Sequence, residues 1–165
     1  MNAAKLGVAG LVLAALVGCT GARSASDVSR DIARGAVLVA IEAIEYGDEA
    51  CAGVAALAKG GNEADLRKGI EIARTCERAK EAGLAGAKAA RMAIQAWGSV
   101  SARQLACAGA QMASALNLTR DAIVRGGGDV PAVVEDGIAG AAMLARMLPT
   151  GGSCELSTGS TGGGA

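Results

Sequence analysis

The chain has 165 residues with 16 basic and 16 acidic side chains, so its formal net charge is zero. This balance lacks the Lys/Arg excess of nucleic-acid-binding proteins, and we predict no nucleic-acid partner. Histidine is absent, which removes the usual general base and the commonest metal ligand. Apolar residues make up 52% of the chain but aromatic residues only 1%, so the sequence predicts a core of small side chains.

The N-terminal segment has the organisation of a secretory signal. Lys5 supplies one positive charge, and an uncharged apolar run extends from Leu6 to Val17. A charged start, an apolar stretch of about 7–15 residues and a small residue at the cleavage site are typical of such signals. The run is shorter than the roughly 20 apolar residues that a membrane-spanning helix needs. We therefore predict that this segment directs export and is then removed.

The end of that segment, Leu16-Val17-Gly18-Cys19, resembles the lipobox of bacterial lipoproteins. The resemblance covers residues 1–19 only. It implies that signal peptidase recognises Leu16, Val17 and Gly18, that residues 1–18 are removed, and that Cys19 becomes the acylated first residue of the mature chain. The partner implied is the lipid bilayer. The alternative is an ordinary signal peptide in which Cys19 is coincidental.

The residue after the lipobox cysteine bears on localisation. In enterobacterial lipoproteins an Asp at this position tends to retain the protein in the inner membrane, whereas this chain has Thr20. In a host with two membranes, the resemblance therefore implies the periplasmic face of the outer membrane. Residues 19–25 are small and polar apart from Arg23, which predicts a short tether that holds the folded part close to the membrane.

The rest of the chain predicts an all-α fold, an antiparallel up-down-up-down bundle of about four helices over residues 26–149. The first helix is predicted from Ser26 to Ala58 and is ended by Gly60 and Gly61. Asn62, with Asp65 three residues later, predicts the start of the second helix, which extends to about Trp97. The apolar stripes expected on these helices are Ile32, Ala36, Val39, Ala43, Tyr46, Ala50 and Leu57 on the first, and Ile72, Cys76, Ala79, Gly83, Gly86, Ala90, Ala93 and Trp97 on the second.

Glycine within the second stripe predicts close contact between helices. Glycine inside a helix costs about 0.5–1 kcal/mol relative to alanine. Gly83 and Gly86 are therefore expected where a neighbouring helix approaches most closely.

Gly98 separates the second helix from a third, which Ser99 or Ser101 caps and which ends near Arg125. Three glycines, residues 126–128, predict a turn. Asp129 is the expected cap of a fourth helix, with Pro131 in its first turn and its end near Leu148. The predicted stripes are Leu105, Gly109, Met112, Leu116 and Ile123 on the third helix, and Val134, Ile138, Ala141, Ala145 and Leu148 on the fourth. Residues 150–165 are rich in Gly, Ser and Thr, which predicts a disordered tail outside the surroundings of Cys154.

Four cysteines other than Cys19 remain, an even number that suggests two disulfides in an exported chain. With about 1.5 Å of rise per residue, Cys51 and Cys76 lie roughly 12 Å and 20 Å below the top of the first hairpin. Cys107 lies near the opposite end, to which the fourth helix returns Cys154. The pairing of Cys51 with Cys76 and of Cys107 with Cys154 is therefore favoured, provided that the first hairpin is tilted or its helix ends early. Buried free thiols are the alternative.

Several other patterns in the sequence could mark functional sites. The cysteines lack the spacing and the histidines of a zinc site, so we predict no metal and no cofactor. The acidic cluster Glu42, Glu45, Asp48 and Glu49 could bind a cation or a basic partner, although a solvated face or pairing with basic residues of the second helix is favoured. Trp97 could anchor a partner but is favoured as a plug at the end of the bundle, and the same two interpretations hold for Tyr46.

No catalytic constellation is evident, so the sequence favours a non-enzymatic envelope lipoprotein, either structural or binding an envelope protein at the membrane surface. The alternative is a phage- or prophage-encoded lipoprotein that acts in lysis or in superinfection exclusion, which genome neighbourhood would distinguish. A carrier with a cavity inside the bundle is less favoured because a core of alanine leaves little room.

Overall fold

The computed structural model describes residues 24–58, 61–97, 99–147 and 154. Over these residues the secondary structure is helical, as predicted. The helices are α1 (Ala25–Ala58), α2 (Glu63–Ala96), α3 (Ser99–Arg125) and α4 (Ala132–Ala145). Each helix contacts the next along the chain, α4 also contacts α1, and α1 touches α3 across the diagonal. The four helices therefore form a ring around one axis.

Contacts between residues show that neighbouring helices are antiparallel. Ile44 of α1 lies against Gly83 of α2, and the Arg30 side chain, nearer the start of α1, reaches Ile94 near the end of α2. Gly109 of α3 lies against Leu144 of α4, whereas Leu116 lies against Gly137. Since sequence numbers rise in one helix as they fall in its neighbour, the predicted up-down-up-down bundle is confirmed. No described helix is both long and apolar enough to cross a bilayer.

Local hydrogen bonds define where the helices begin. The Asn62 side chain accepts bonds from the amides of Ala64 (2.9 Å) and Asp65 (3.1 Å), and the Asp65 carboxylate accepts one from the Asn62 amide. This capping box confirms the predicted start of the second helix. Ser24 and Asp27 make the equivalent pair of bonds before α1, so this helix begins slightly earlier than Ser26.

The start of α4 differs from the prediction. Its N-cap is Pro131, which makes no side-chain capping bond, so the expectation that Asp129 caps this helix is wrong. The reason is the preceding turn, in which Gly127 has a φ of +82°. Its amide donates to Val124, and the amide of Gly128 donates to Ile123 (3.0 Å), a Schellman motif that closes α3. The chain leaves this motif extended, and Pro131, at φ −61°, leads directly into α4. Leu148, the predicted end of α4, lies outside the described residues.

The predicted stripes of α2 and α3 are buried as expected, with Trp97 half-buried. The stripe predicted for α1 is wrong in part, because Tyr46 is 50% and Leu57 82% exposed. The residues of α1 that are buried instead are Ala33, Val37, Ala40, Ile44, Cys51, Val54 and Ala55. Helix α1 packs against α2, α4 and α3 together, so its buried face is broader than a single stripe and is rotated from the predicted one.

Glycine positions mark the closest helix contacts, as predicted for α2. A Cβ atom added at Gly83 would lie 2.8 Å from the Ile44 side chain, and one at Gly86 would lie 2.9 Å from Met112. The tightest backbone approach is at Gly109, where a Cβ would lie 2.8 Å from the Ala141 carbonyl oxygen. Small side chains thus stabilise the bundle by letting the helices approach closely.

Candidate functional site

The residues predicted for lipidation and cleavage, Leu16, Val17, Gly18 and Cys19, lie outside the described residues. The other four cysteines are joined as predicted. Cys51 and Cys76 form one disulfide, with 6.1 Å between their Cα atoms, and Cys107 and Cys154 form the other, with 5.3 Å. Both separations lie within the usual disulfide range. Because α1 continues to Ala58, the first disulfide does not require this helix to end early.

The two disulfides occupy different surroundings. Cys51 and Cys76 are buried in a small apolar cluster with Val54, Ile72 and Ile123. This cluster lies where α1, α2 and α3 meet, on the side of the 126–128 turn. Cys154 is exposed and is tied to the half-buried Cys107 on α3. The first disulfide therefore belongs to the core of the bundle, whereas the second fixes one point of the C-terminal segment to its surface.

Part of the acidic cluster on α1 is neutralised within the bundle. The Asp48 carboxylate accepts a hydrogen bond from the Lys80 ammonium at 2.6 Å, which joins α1 to α2. This hydrogen bond and the attraction of the Asp48 charge raise the pKa of Lys80. The predicted pairing with a basic residue of the second helix is therefore found at Asp48, while Glu42, Glu45 and Glu49 remain on the exposed face.

The two aromatic residues have different environments. Trp97 packs against the main apolar core, and its indole N–H donates to the Ser26 hydroxyl at 2.9 Å. It closes the end of the bundle at which α1 begins, as the favoured interpretation predicts. Tyr46 is half-exposed on α1, so the corresponding interpretation of Tyr46 as a plug is wrong. The broad buried face of α1 turns this ring outward.

Three surface grooves are the candidate sites. The first, of about 440 Å³, runs beside the Cys51–Cys76 disulfide and is lined by Asp48, Glu77, Glu81 and the paired Lys80. The second, of about 590 Å³, lies along α2 among Arg67, Arg74, Arg78 and Glu71. The third, of about 290 Å³, is lined by Arg34, Val37, Leu38, Arg91, Ile94 and Gln95. Of the three, the third combines an apolar floor with arginines and has no acidic residue in its lining.

This arginine groove is built by the first hairpin. Arg30 spans the hairpin, because its Nε donates to the Ile94 carbonyl oxygen at 3.1 Å. Arg34, one turn later, lies 3.6 Å from the Asp31 carboxylate and is largely exposed. Arg91 is exposed on α2, and Leu38, which is 61% exposed, adds an apolar surface between the two helices. The groove can therefore contact an anionic group and an apolar group side by side.

The proximity of Arg91 on α2 to Arg34 on α1 was not among the sequence-based expectations. A signal was available in the predicted disulfide. Arg34 precedes Cys51 on α1 by about as many residues as Arg91 follows Cys76 on α2. Because the two helices are antiparallel, a disulfide between the cysteines places the two arginines at the same level of the hairpin. The cysteine pair therefore fixes the register of the hairpin.

No protein-family model, curated protein or solved structure matches this chain.

Proposed function

We propose that the protein is a lipid-anchored envelope protein, a small non-enzymatic helical module held at the membrane surface through acylated Cys19, with a structural or partner-binding role. The observation that carries the proposal is the sequence Leu16-Val17-Gly18-Cys19 after a charged start and a short apolar run. The charge, the length of the run and the position of the cysteine all agree with lipoprotein processing. Acyl chains make such anchoring persistent, at about 0.8 kcal/mol per buried CH₂ group.

The disulfides of the described residues support a role outside the cytoplasm, and the surface of the helical module supports a binding role. The Cys51–Cys76 and Cys107–Cys154 disulfides suit an oxidising compartment. They account for four of the five cysteines, all but the Cys19 proposed for acylation. The helical module itself supplies packing surfaces and surface grooves, which suit binding more than chemistry.

Acylation of the full precursor tests the proposal. Cells that produce the protein would be grown with an alkyne-tagged fatty acid, and the protein analysed by labelling, mass spectrometry and membrane fractionation. We expect the wild-type chain to incorporate label, to begin at Cys19 and to fractionate with the membrane. Cys19→Ala is expected to lose the label and the membrane association. A Cys19→Ala chain that is still acylated and membrane-bound would contradict the proposal.

A change at the next residue is the matched control and tests localisation. Thr20→Asp keeps Cys19 and is expected to retain full acylation. In a host with two membranes, we expect density-gradient fractions to show this variant moving from the outer to the inner membrane. If wild type and variant both fractionate with the inner membrane, the outer-membrane assignment is wrong even though acylation stands.

A further inference from the structure

The charges of the described residues are divided unequally between the two ends of the bundle. The middle of the bundle is marked by two sets of contacts between helices. Gly83 lies against Ile44 and Ala115, and Gly137 lies against Ala43. We define the proximal half as residues 24–43, 84–97, 99–115 and 138–147, and the distal half as residues 44–58, 61–83 and 116–137. The proximal half contains α1's start and therefore the end of the chain that continues toward Cys19.

The proximal half is positively charged and the distal half negatively charged. Basic residues exceed acidic ones by 6 − 3 = +3 in the proximal half, and the balance is 7 − 12 = −5 in the distal half. The proximal charges are Arg30, Arg34, Lys88, Arg91, Arg103 and Arg146 against Asp27, Asp31 and Glu42. The positive and negative charges of the chain nearly balance, but they are separated between the two ends of the bundle. The bundle therefore has a strong electric dipole along its axis.

Exposed apolar side chains occur in both halves, but only in the proximal half do they accompany a net positive charge. Leu38 and Met92 are each 61% exposed, and Met143 is also exposed. Trp97, at the same end, has an apolar ring and a polar N–H, the combination that suits a boundary between hydrocarbon and water. The arginine groove lies between α1 and α2 in this half. Basic and apolar side chains occur together here, as they do on surfaces that rest at a membrane interface.

The length of the tether limits how far this end can be from the lipid. Five residue steps separate Cys19 from Ser24, so a fully extended tether spans at most about 17 Å. Attraction between charges in physiological salt extends over about 8 Å. The tether is therefore short enough for the start of α1 to come within the range in which an anionic surface attracts it, whereas the distal half begins about 30 Å farther along this helix.

We propose that the proximal half is a membrane-docking surface, with Arg34 and Arg91 binding the phosphate groups of anionic phospholipids while Leu38 and Met92 contact the interfacial region. This proposal rests on the proposed lipid anchor and adds an orientation to it. In this orientation the face of α1 and α2 around Arg34, Leu38 and Arg91 lies against the bilayer, and the bundle is tilted so that its acidic distal half points away from the surface.

The single tryptophan provides the test, because Trp97 lies in the proximal half. The acylated mature protein would be reconstituted into vesicles that contain brominated lipids, either phosphatidylcholine alone or equal parts of phosphatidylcholine and phosphatidylglycerol. Bromine quenches tryptophan fluorescence only at close range. We expect markedly stronger quenching of Trp97 in the vesicles with phosphatidylglycerol, and loss of the difference in high salt.

Paired variants separate the docking surface from charge in general. Arg34→Gln with Arg91→Gln is expected to lower the ratio of docked to undocked protein about 25-fold, at roughly fivefold for each arginine. Arg74→Gln with Arg78→Gln removes the same charge from the distal half and is expected to leave the quenching unchanged. Both pairs are exposed, and the helical circular dichroism of each variant checks that it is folded.

The outcomes distinguish this proposal from the proposed function. Absence of acyl chains from the mass spectrum of the purified protein would overturn the lipid anchor, and the docking surface with it. An acylated protein whose Trp97 is quenched equally in the two kinds of vesicle would overturn the docking surface alone. Equal losses in the proximal and distal variants would also overturn it.

Discussion

Glycine, at the scale of single residues, has two opposite roles in this bundle. At Gly109 the neighbouring helix leaves no room for a side chain, since an added Cβ would lie 2.6 Å from the Leu144 Cβ and 2.8 Å from backbone atoms of α4. At Gly53 nothing lies within 4 Å of an added Cβ. Both residues are inside helices, so their intrinsic cost is the same and only the tertiary contact differs.

This difference predicts opposite effects of the same substitution. Gly109→Ala is expected to lower the free energy of unfolding by about 1–3 kcal/mol, because α4 must move away. Gly53→Ala is expected to raise it by about 0.5–1 kcal/mol, because the helix gains propensity without a clash. Urea unfolding followed by circular dichroism measures both. A Gly109→Ala chain as stable as the wild type would show that α3 and α4 are not in close backbone contact.

Disulfides act at the scale of helical elements. Cys51 and Cys76 are 25 residues apart and join α1 to α2 inside a buried cluster, whereas Cys107 and Cys154 are 47 residues apart and join α3 to the C-terminal segment. Loop-closure entropy alone assigns about 3–4 kcal/mol to each. The first disulfide also fills space among Val54, Ile72 and Ile123. The two bonds should therefore differ in how much their removal disturbs the core.

We predict that replacing both Cys51 and Cys76 by alanine destabilises the bundle more than replacing both Cys107 and Cys154. The expected losses are about 4–6 kcal/mol for the buried pair, whose removal also leaves a cavity, and up to about 4 kcal/mol for the other. Thermal unfolding of the two double variants compares them. Peptide mapping without reductant checks the connectivity, and a Cys51–Cys107 linkage would refute the hairpin register as well.

Separation of charge is a property of the whole molecule. No single helix determines it, because the basic residues of the proximal half come from α1, α2, α3 and the residue that follows α4, Arg146. Lys88 in the proximal half and Lys68 in the distal half are both exposed, so they report on the two ends of the bundle. If the proximal half rests on the bilayer, the two amines must differ in their access to water-soluble reagents.

Lysine acetylation therefore gives a readout of orientation that does not involve Trp97. With the acylated protein on vesicles that contain phosphatidylglycerol, we expect a membrane-impermeant acetylating reagent to modify Lys68 several times faster than Lys88. In detergent solution the two rates should become similar, which serves as the control. Equal protection of both amines on vesicles would indicate a bundle that lies flat on the membrane.

Much of this fold could be predicted from the sequence because its elements have strong local causes. Asn62 and Asp65 fix the start of α2, residues 126–128 close α3, and the regular spacing of Ile72, Cys76 and Ala79 marks the buried face of α2. The pairing of the four cysteines followed from helix rise and antiparallel order. The sequence Leu16-Val17-Gly18-Cys19, whose resemblance to a lipobox is the basis of the proposed anchor, is likewise a purely local pattern.

Tertiary structure decided the rest. The face of α1 could not be read correctly because alanine and valine occupy most of its circumference, and only packing against three helices selects Ala33, Val37 and Ala40 for burial. The arginine groove likewise exists only once the hairpin brings Arg91 of α2 beside Arg34 of α1. Local patterns determine where helices begin and end, since caps and turns act over a few residues. Which surfaces meet depends on the whole bundle, because burial is shared among all four helices.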